Sequence, residues 1–217
     1  MRQMPIAREG LPLIILSLVF AIICFLIGFE IPAFVIFFFF LFCLFFFRNP
    51  KRYHSVSQDV WISPADGKVM DIEEIEEKEF LEKTVKRVSI FMSLADVHVN
   101  RSPCDGRILR VEHRRGDFAL AFKKDIDKEN ERNYILVEHG KEKVLIVQVA
   151  GFLARRITSY VKEGDIVKKG DPIGIIAFGS RVDIYVPLDY DTMVLSGYKV
   201  KAGITALAKN RGTHEST

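Results

Sequence analysis

Two stretches of this 217-residue chain, 11–29 (LPLIILSLVFAIICFLIGF) and 33–47 (AFVIFFFFLFCLFFF), contain no charged residue and hold most of its 18 phenylalanines. A soluble core of this size has no need of such runs. A bilayer core of about 30 Å takes roughly 20 helical residues at about 1.5 Å each, so the first stretch can span and the second is marginally short. Glu30-Ile31-Pro32 separates them. A carboxylate and a proline are costly in mid-bilayer, but at a turn the carboxylate reaches water and the proline can begin the second helix. The pattern therefore predicts an N-terminal transmembrane helical hairpin, an anchor over residues 1–52. Arg2 and Arg8 precede it and Arg48, Lys51 and Arg52 follow it. Positive flanks mark the cytoplasmic side, so two crossings put the rest of the chain on the cytoplasmic face of the cell membrane. A cleaved signal peptide fits less well, because the apolar region is about twice too long and ends in phenylalanine. A single long tilted helix would leave the domain on the other side.

Residues 53–217 have a mixed-charge composition and are enough for one hydrophobic core. The net charge of +3 is small, and apart from Arg48 to Arg52, Arg114-Arg115 and Arg155-Arg156 the basic residues are scattered. No nucleic-acid footprint is present. Cys24 and Cys43 lie in the apolar runs and Cys104 stands alone, which excludes a disulfide framework within the domain. Short β-branched runs at 85–91, 107–112, 133–138, 143–149 and 182–186 predict strands. Pro64-Ala65-Asp66-Gly67, Pro103-Cys104-Asp105-Gly106 and Gly116-Asp117 supply turns between them. The expected fold is mainly β, a β-rich α+β domain with an antiparallel or mixed sheet. Residues 72–83 (IEEIEEKEFLEK) form a short helix or a long exposed hairpin. The two glycine turns of Val161-Lys162-Glu163-Gly164-Asp165-Ile166-Val167-Lys168-Lys169-Gly170-Asp171-Pro172-Ile173-Gly174 resemble the hammerhead half of lipoyl and biotinyl domains, which suggests a barrel-sandwich-like C-terminal half. The chain lacks the exposed Met-Lys-Met type of context that a carrier domain modifies.

Chemistry-bearing candidates are few. None of the five histidines forms an HxxxH or HExxH pair or adjoins a cysteine ligand set, so no metal site is expected. There is no Gly-x-Ser-x-Gly elbow and no phosphate-cradling glycine loop between a strand and a helix. What remains is Phe178-Gly179-Ser180-Arg181 between two strand-like runs, in itself an ordinary turn. Upstream stand Ser63-Pro64-Ala65-Asp66-Gly67, then Phe91-Met92-Ser93-Leu94-Ala95-Asp96-Val97-His98-Val99-Asn100-Arg101-Ser102-Pro103, then Gly151-Phe152-Leu153-Ala154-Arg155-Arg156-Ile157. In that order and spacing the chain resembles the short bacterial and archaeal members of the phosphatidylserine decarboxylase family, from Phe46-Phe47-Arg48-Asn49-Pro50 through Tyr185-Val186-Pro187.

The resemblance implies a proenzyme that cuts itself at Gly179-Ser180 into chains 1–179 and 180–217, with Ser180 becoming a pyruvoyl group, the covalent cofactor. It implies decarboxylation of phosphatidylserine to phosphatidylethanolamine through a Schiff base on that group. The residue types suit these tasks. Glycine permits the strained turn and leaves its carbonyl open to the Ser180 hydroxyl, and a pyruvoyl carbonyl accepts electrons as pyridoxal phosphate does. The resemblance also points to His98, in Asp96-Val97-His98, and to Asp66, in Pro-Ala-Asp-Gly, as catalytic. Larger members carry a second histidine where this chain has Arg101. Either His98 fills both roles or another group activates Ser180, and Arg101 can instead hold a substrate carboxylate or phosphate. Phe91 and Phe178 are candidates for the apolar substrate wall. The implied partners are a membrane phospholipid, the chain's own small fragment 180–217 and a second copy in a homodimer, with no nucleic acid and no metal.

Three readings compete on these residues. Archaetidylserine, an ether lipid with the same headgroup, would suit the same chemistry. A noncatalytic membrane-anchored barrel-sandwich adaptor would stay uncut. A serine hydrolase using Ser180 would keep a free hydroxyl.

Overall fold

The computed structural model describes residues 4–116, 130–151, 156–177 and 179–212. Arg2, Asp117, Phe152, Leu153, Ala154, Arg155 and Phe178 lie outside them. The chain divides into two compact units, Met1–Lys51 and Arg52–Thr217.

In the first unit a 3-10 turn, Arg8–Gly10, leads into α1 (Leu11–Leu26), and α2 (Glu30–Phe46) packs against it. Gly28 ends α1 by taking φ +84°, and the Gly28 and Phe29 N–H groups donate to the Phe25 and Cys24 carbonyls at 3.1 and 2.8 Å. The reversal thus falls at residues 27–29, before the Glu30-Ile31-Pro32 separator that the sequence suggested. Pro32 lies in the first turn of α2, as expected, and Glu30 begins that helix. First-turn N–H groups have no helical partner, so proline loses nothing there, and a carboxylate meets the positive end of the helix dipole. Small side chains on α1, Ser17, Ala21 and Cys24, are buried, as are Ala33 and Cys43 on α2, and residues of this size let helices approach closely. At the base, a Cβ on Gly10 would stand 2.2 Å from the Phe47 ring, and Ile6 bridges Arg48. The outward faces are apolar too, with Leu16 68% and Phe38 66% exposed. Arg8–Leu26 is long and apolar enough to cross a bilayer, whereas Glu30–Phe46 is shorter.

Among its described residues the second unit is built of strands: β1 (Val60–Ile62), β2 (Gly67–Glu77), β3 (Lys83–Met92), β4 (Val99–Arg101), β5 (Gly106–Arg114), β6 (Arg132–His139), β7 (Glu142–Ala150), β8 (Ile157–Ser159), β9 (Ile166–Val167), β10 (Pro172–Ile176), β11 (Ser180–Pro187), β12 (Tyr190–Thr192), β13 (Lys199–Val200) and β14 (Ala206–Asn210). All pairings between them are antiparallel. Eight strands form one curled half-barrel sheet, ordered β13-β2-β3-β11-β7-β6-β5-β9, and two three-stranded sheets, β1-β14-β12 and β4-β10-β8, complete the unit. Residues 72–83 resolve as a long hairpin, with Glu77 opposite Lys83. The hairpin bends over because the Glu77 carboxylate accepts the Phe80 and Leu81 N–H groups, and Phe80 then stacks on Tyr134 at 4.9 Å.

The strand orders repeat. β2, β3, β11 and β13 correspond to β5, β6, β7 and β9, and β1, β12 and β14 correspond to β4, β8 and β10. The local chemistry repeats with them. Ser63 and Ser102 each donate to the carbonyl two residues on, Ala65 and Cys104, at 2.7 Å. Asp66 and Asp105 each accept a backbone N–H at 2.7 Å, from Ala202 and Lys169. The Arg101 N–H donates to the Pro64 carbonyl and the Ile62 N–H to the Pro103 carbonyl, at 2.9 and 3.0 Å, so each turn holds the strand that leads into the other. Gly67 pairs with Val200 and Gly106 with Val167. A Cβ on either glycine would strike a backbone oxygen of the neighbouring strand, that of Phe91 at 2.1 Å or that of Glu138 at 2.3 Å. The unit is therefore a duplicated motif with an approximate two-fold axis at the centre of the sheet, where Ile184 of β11 faces Ile146 of β7. The second copy is inserted between β3 and β11 of the first. The hammerhead-like stretch is part of this scheme. Its turns place Gly164 at φ +88° and Gly170 at φ +87° around β9, and Asp165 and Asp171 each accept the N–H three residues back.

Val69, Val88, Ile90, Val144, Ile146, Val182 and Ile184 form the core between the large sheet and the small ones. Burying each side chain of this size is worth about 1.5–3 kcal/mol. Along β11 the core-facing phase is Val182, Ile184 and Val186. Because strand side chains alternate, Ser180 falls on the same phase, and it is fully buried.

Candidate active site

Ser180 begins β11, where it lies between Met92, the last residue of β3, and Ala150, the last residue of β7. Its Oγ donates to the Met92 sulfur at 3.4 Å. Gly179 precedes it with φ +69°, a left-handed backbone that side chains other than glycine's adopt only with strain. A Cβ on Gly179 would meet nothing within 4 Å. Glycine is needed there for backbone conformation and not for space.

His98 lies just before β4 and is fully buried. Its carbonyl accepts the Ile176 N–H at 3.4 Å, which sets it beside the end of β10, four residues ahead of Ser180. Its Nδ1 lies 3.0 Å from the Asp96 carbonyl oxygen. A carbonyl only accepts, so Nδ1 carries the proton and Nε2 is the basic nitrogen of the neutral ring. The Asp96 carboxylate does different work. It accepts the Ser93 N–H and Oγ at 2.8 and 2.6 Å and closes the turn from which His98 projects. In Asp96-Val97-His98, then, the backbone of the aspartate holds the histidine while its side chain holds the loop.

Asp66 is buried at the head of β2. Its Oδ2 accepts from Arg52 Nη2 at 2.8 Å and its Oδ1 accepts the Ala202 N–H. Arg52 and Asp66 are each about 10% exposed, so the pair is close to desolvated. Breaking such a pair by removing one partner costs about 3–5 kcal/mol. Arg101, at the end of β4, is 2% exposed, and its Nη1 donates to the Gly170 carbonyl at 2.8 Å. Burial, together with the nearby Arg52 charge, lowers its pKa to about 10. The carboxylates of Asp66 and Asp171 pull the other way. Arg52, Asp66 and Arg101 thus form one buried charge cluster, and Gly203 packs so tightly on it that a Cβ would lie 2.9 Å from Arg101 Cδ. Phe91 is half-buried on β3, opposite Arg181. Phe178 lies outside the described residues.

The sequence pointed to Ser180, Gly179, His98, Asp66 and Arg101, and the fold gathers their segments at one end of the large sheet. It passed over Arg52, which is the partner of Asp66. It also passed over a chain of buried amides. Asn133 Nδ2 donates to Gln148 Oε1 at 2.8 Å, Gln148 Nε2 to Asn100 Oδ1 at 2.7 Å, and Asn100 Nδ2 to the Met92 sulfur at 3.5 Å. A lone amide in each of two apolar strand runs, NYILVE and KVLIVQV, was the available signal.

The glycine-serine bond thus opens a central strand of the large sheet, and a histidine with its proton on Nδ1 lies beside the end of β10. The sequence pattern of the phosphatidylserine decarboxylase family matches residues 39–208. A phosphatidylserine decarboxylase proenzyme of Carboxydothermus hydrogenoformans is 43% identical over 94% of this chain and 96% of its own length. Proenzymes of the same name from Syntrophus aciditrophicus and Magnetococcus marinus are 40% and 37% identical, over 93% and 95% of this chain and 96% of each relative. The chain belongs to the phosphatidylserine decarboxylase family. It is accordingly a decarboxylase of phospholipid metabolism.

Proposed function

We propose that the chain is a membrane-anchored proenzyme that cuts itself between Gly179 and Ser180 and then decarboxylates phosphatidylserine to phosphatidylethanolamine. The observation that carries this reading is the setting of the bond: a left-handed Gly179 with open space around it, followed at once by a fully buried serine. In the first step Ser180 Oγ attacks the Gly179 carbonyl carbon, its proton passes to a base, and the amide becomes an ester with a free amine. Loss of the Ser180 α-proton with departure of the Gly179 carboxylate leaves a dehydroalanyl end. Tautomerisation and addition of water then release ammonia and leave a ketone. The balance closes with one water consumed and one ammonia formed, and no redox partner is needed.

His98 is the base in this scheme, since Nδ1 donates to a backbone carbonyl and Nε2 is then the basic nitrogen of the ring. Asp66, held by Arg52 and the Ala202 N–H, fixes the turn that runs against Phe91, one residue before the Met92 partner of Ser180. Arg101 supplies buried positive charge to the same cluster, and Phe91 forms part of the apolar wall on the substrate side. The new pyruvoyl group at position 180 supplies an electrophile for the substrate amine and a sink for the electrons released with carbon dioxide. After decarboxylation His98 returns a proton to the substrate carbon.

The apolar outward faces of α1 and α2 and the basic residues at their ends support anchoring with the domain on the cytoplasmic side. An anchored domain meets a lipid substrate at a raised local concentration. The test is the mass of the purified protein. Two chains are expected, 1–179 and 180–217, the smaller blocked to N-terminal sequencing and reactive to a carbonyl reagent. Ser180→Ala should leave one intact chain with no activity. An active wild-type preparation consisting only of full-length chain refutes the proposal.

A further inference from the structure

The amide chain from Asn133 to Met92 lies on the core-facing phases of four strands, among residues that are otherwise apolar. Asn133 is 1% exposed, and Gln148, Asn100, Met92 and Ser180 are fully buried. Each amide N–H2 donates to the carbonyl of the next, and the last donates to the sulfur that also receives the Ser180 hydroxyl. Burying amides in a core is costly unless every partner is in place.

The duplication shows that the fold does not demand this. Two residues before its Ser-Pro-x-Asp-Gly turn, the second copy has Asn100 and the first has Trp61. Two residues beyond the central Ile146–Ile184 pair, one side has Gln148 and the other has Val186. Met92 corresponds to His139, the last residue of β6. At that opposite end Trp61 packs on His139 with ring centroids 6.2 Å apart, where Asn100 meets Met92 at the Ser180 end. The positions of Asn100 and Gln148 therefore make a sound core with a tryptophan and a valine, while Asn133 corresponds to Lys86. The three amides are joined in a chain at the end that leads to Ser180.

We infer that Asn133, Gln148, Asn100 and Met92 form a positioning relay that sets the Ser180 hydroxyl for self-cleavage. This rests on the cleavage reading above. A thioether is a weak acceptor and no base. It fixes the rotamer of Oγ, and the weak hydrogen bond it accepts yields readily when a base draws the hydroxyl proton. Asn100, held from behind by Gln148, occupies the other side of the sulfur and stops it from rotating away.

The test uses the full chain made by cell-free synthesis into vesicles of phosphatidylserine and phosphatidylglycerol, with conversion from one chain to two followed in time on denaturing gels. Two variants are compared with wild type. Met92→Leu removes the sulfur at nearly constant volume, and the combined Asn133→Leu, Gln148→Leu and Asn100→Leu variant removes every amide, so that none is left without a partner. Both should cleave about tenfold more slowly, the scale of one lost hydrogen bond in the reacting geometry. Their melting temperatures should equal or exceed that of wild type. Adding Met92→Leu to the triple variant should slow cleavage no further, because the residues act as one unit. Cleavage at the wild-type rate, slowing that merely follows a fall in melting temperature, or a triple variant that fails to fold overturns the relay. A wild-type chain that stays whole overturns the cleavage reading itself.

Discussion

The two ends of the large sheet are built from the same parts and finished differently. At one end β6 and β7 are joined by a tight hairpin, with His139 opposite Glu142 and Gly140 at φ +62°. At the other, the equivalent junction between β3 and β11 is open, and the whole second copy of the motif is threaded between Met92 and Ser180. The closed end is packed with Trp61, which also stacks on Tyr190 at 4.2 Å. The open end carries the amide chain, the histidine of fixed tautomer and the buried charge cluster. The bond proposed for cleavage therefore lies at the junction that the fold leaves unjoined, and on the reading proposed above the amide chain beside it serves chemistry.

The likeness of the two ends bears hardest on the two turn glycines. Gly67→Ala and Gly106→Ala each drive a methyl into a backbone oxygen, and neither strand can retreat without losing its ladder. Each should cost about 3–5 kcal/mol in denaturant unfolding. Similar losses at both sites would uphold the duplication, whereas a harmless Gly106→Ala would break it. A smaller effect should separate the turn aspartates. Asp105→Ala gives up the Lys169 N–H and should cost about 1–2 kcal/mol. Asp66→Ala also strands Arg52 in a nearly desolvated place and should cost about 3 kcal/mol. Replacing Arg52 as well should recover part of that difference. The smallest effect on stability is expected from Gly140→Ala and Gly179→Ala. Both residues sit at positive φ with open space around them, so each should lose only about 1 kcal/mol. Only Gly179→Ala should slow formation of the two chains on a gel. Equal processing in both variants would mean that the Gly179 conformation does not prepare the bond.

Much of this could be read from residue order. The runs at 85–91, 107–112, 133–138, 143–149 and 182–186 all fall within strands, because β-branched residues in alternation suit a half-buried pleat. The uncharged runs became helices, though the first stops at Gly28 because a left-handed glycine ends a helix whatever the hydropathy beyond it. Two aspects were hidden. Pro64-Ala65-Asp66-Gly67 and Pro103-Cys104-Asp105-Gly106 were visible as turns. That they are one element used twice follows only from the register, since the copies share little beyond these residues and the glycine turns at Gly164, Gly170, Gly197 and Gly203. The partners of the site also come from distant segments. Arg52 reads as part of a membrane-flanking cluster until the fold carries it to Asp66, and Asn133 is separated from Ser180 by three intervening side chains, a distance that no local motif records.

Ser180 opens a strand that is paired along its whole length to β3 and, over residues 180–185, to β7. Scission ahead of it leaves the pairing from Arg181 onward intact. The fragment 180–217 would remain as the central stave of the sheet, a subunit held without any covalent link. The processed enzyme would then be a heterodimer made from one translation product. Folding of the precursor is unimolecular, but once the two chains are unfolded and diluted their reunion depends on concentration. Recovery of activity after denaturation should therefore fall with dilution for the cut protein, while refolding of the Ser180→Ala chain should not.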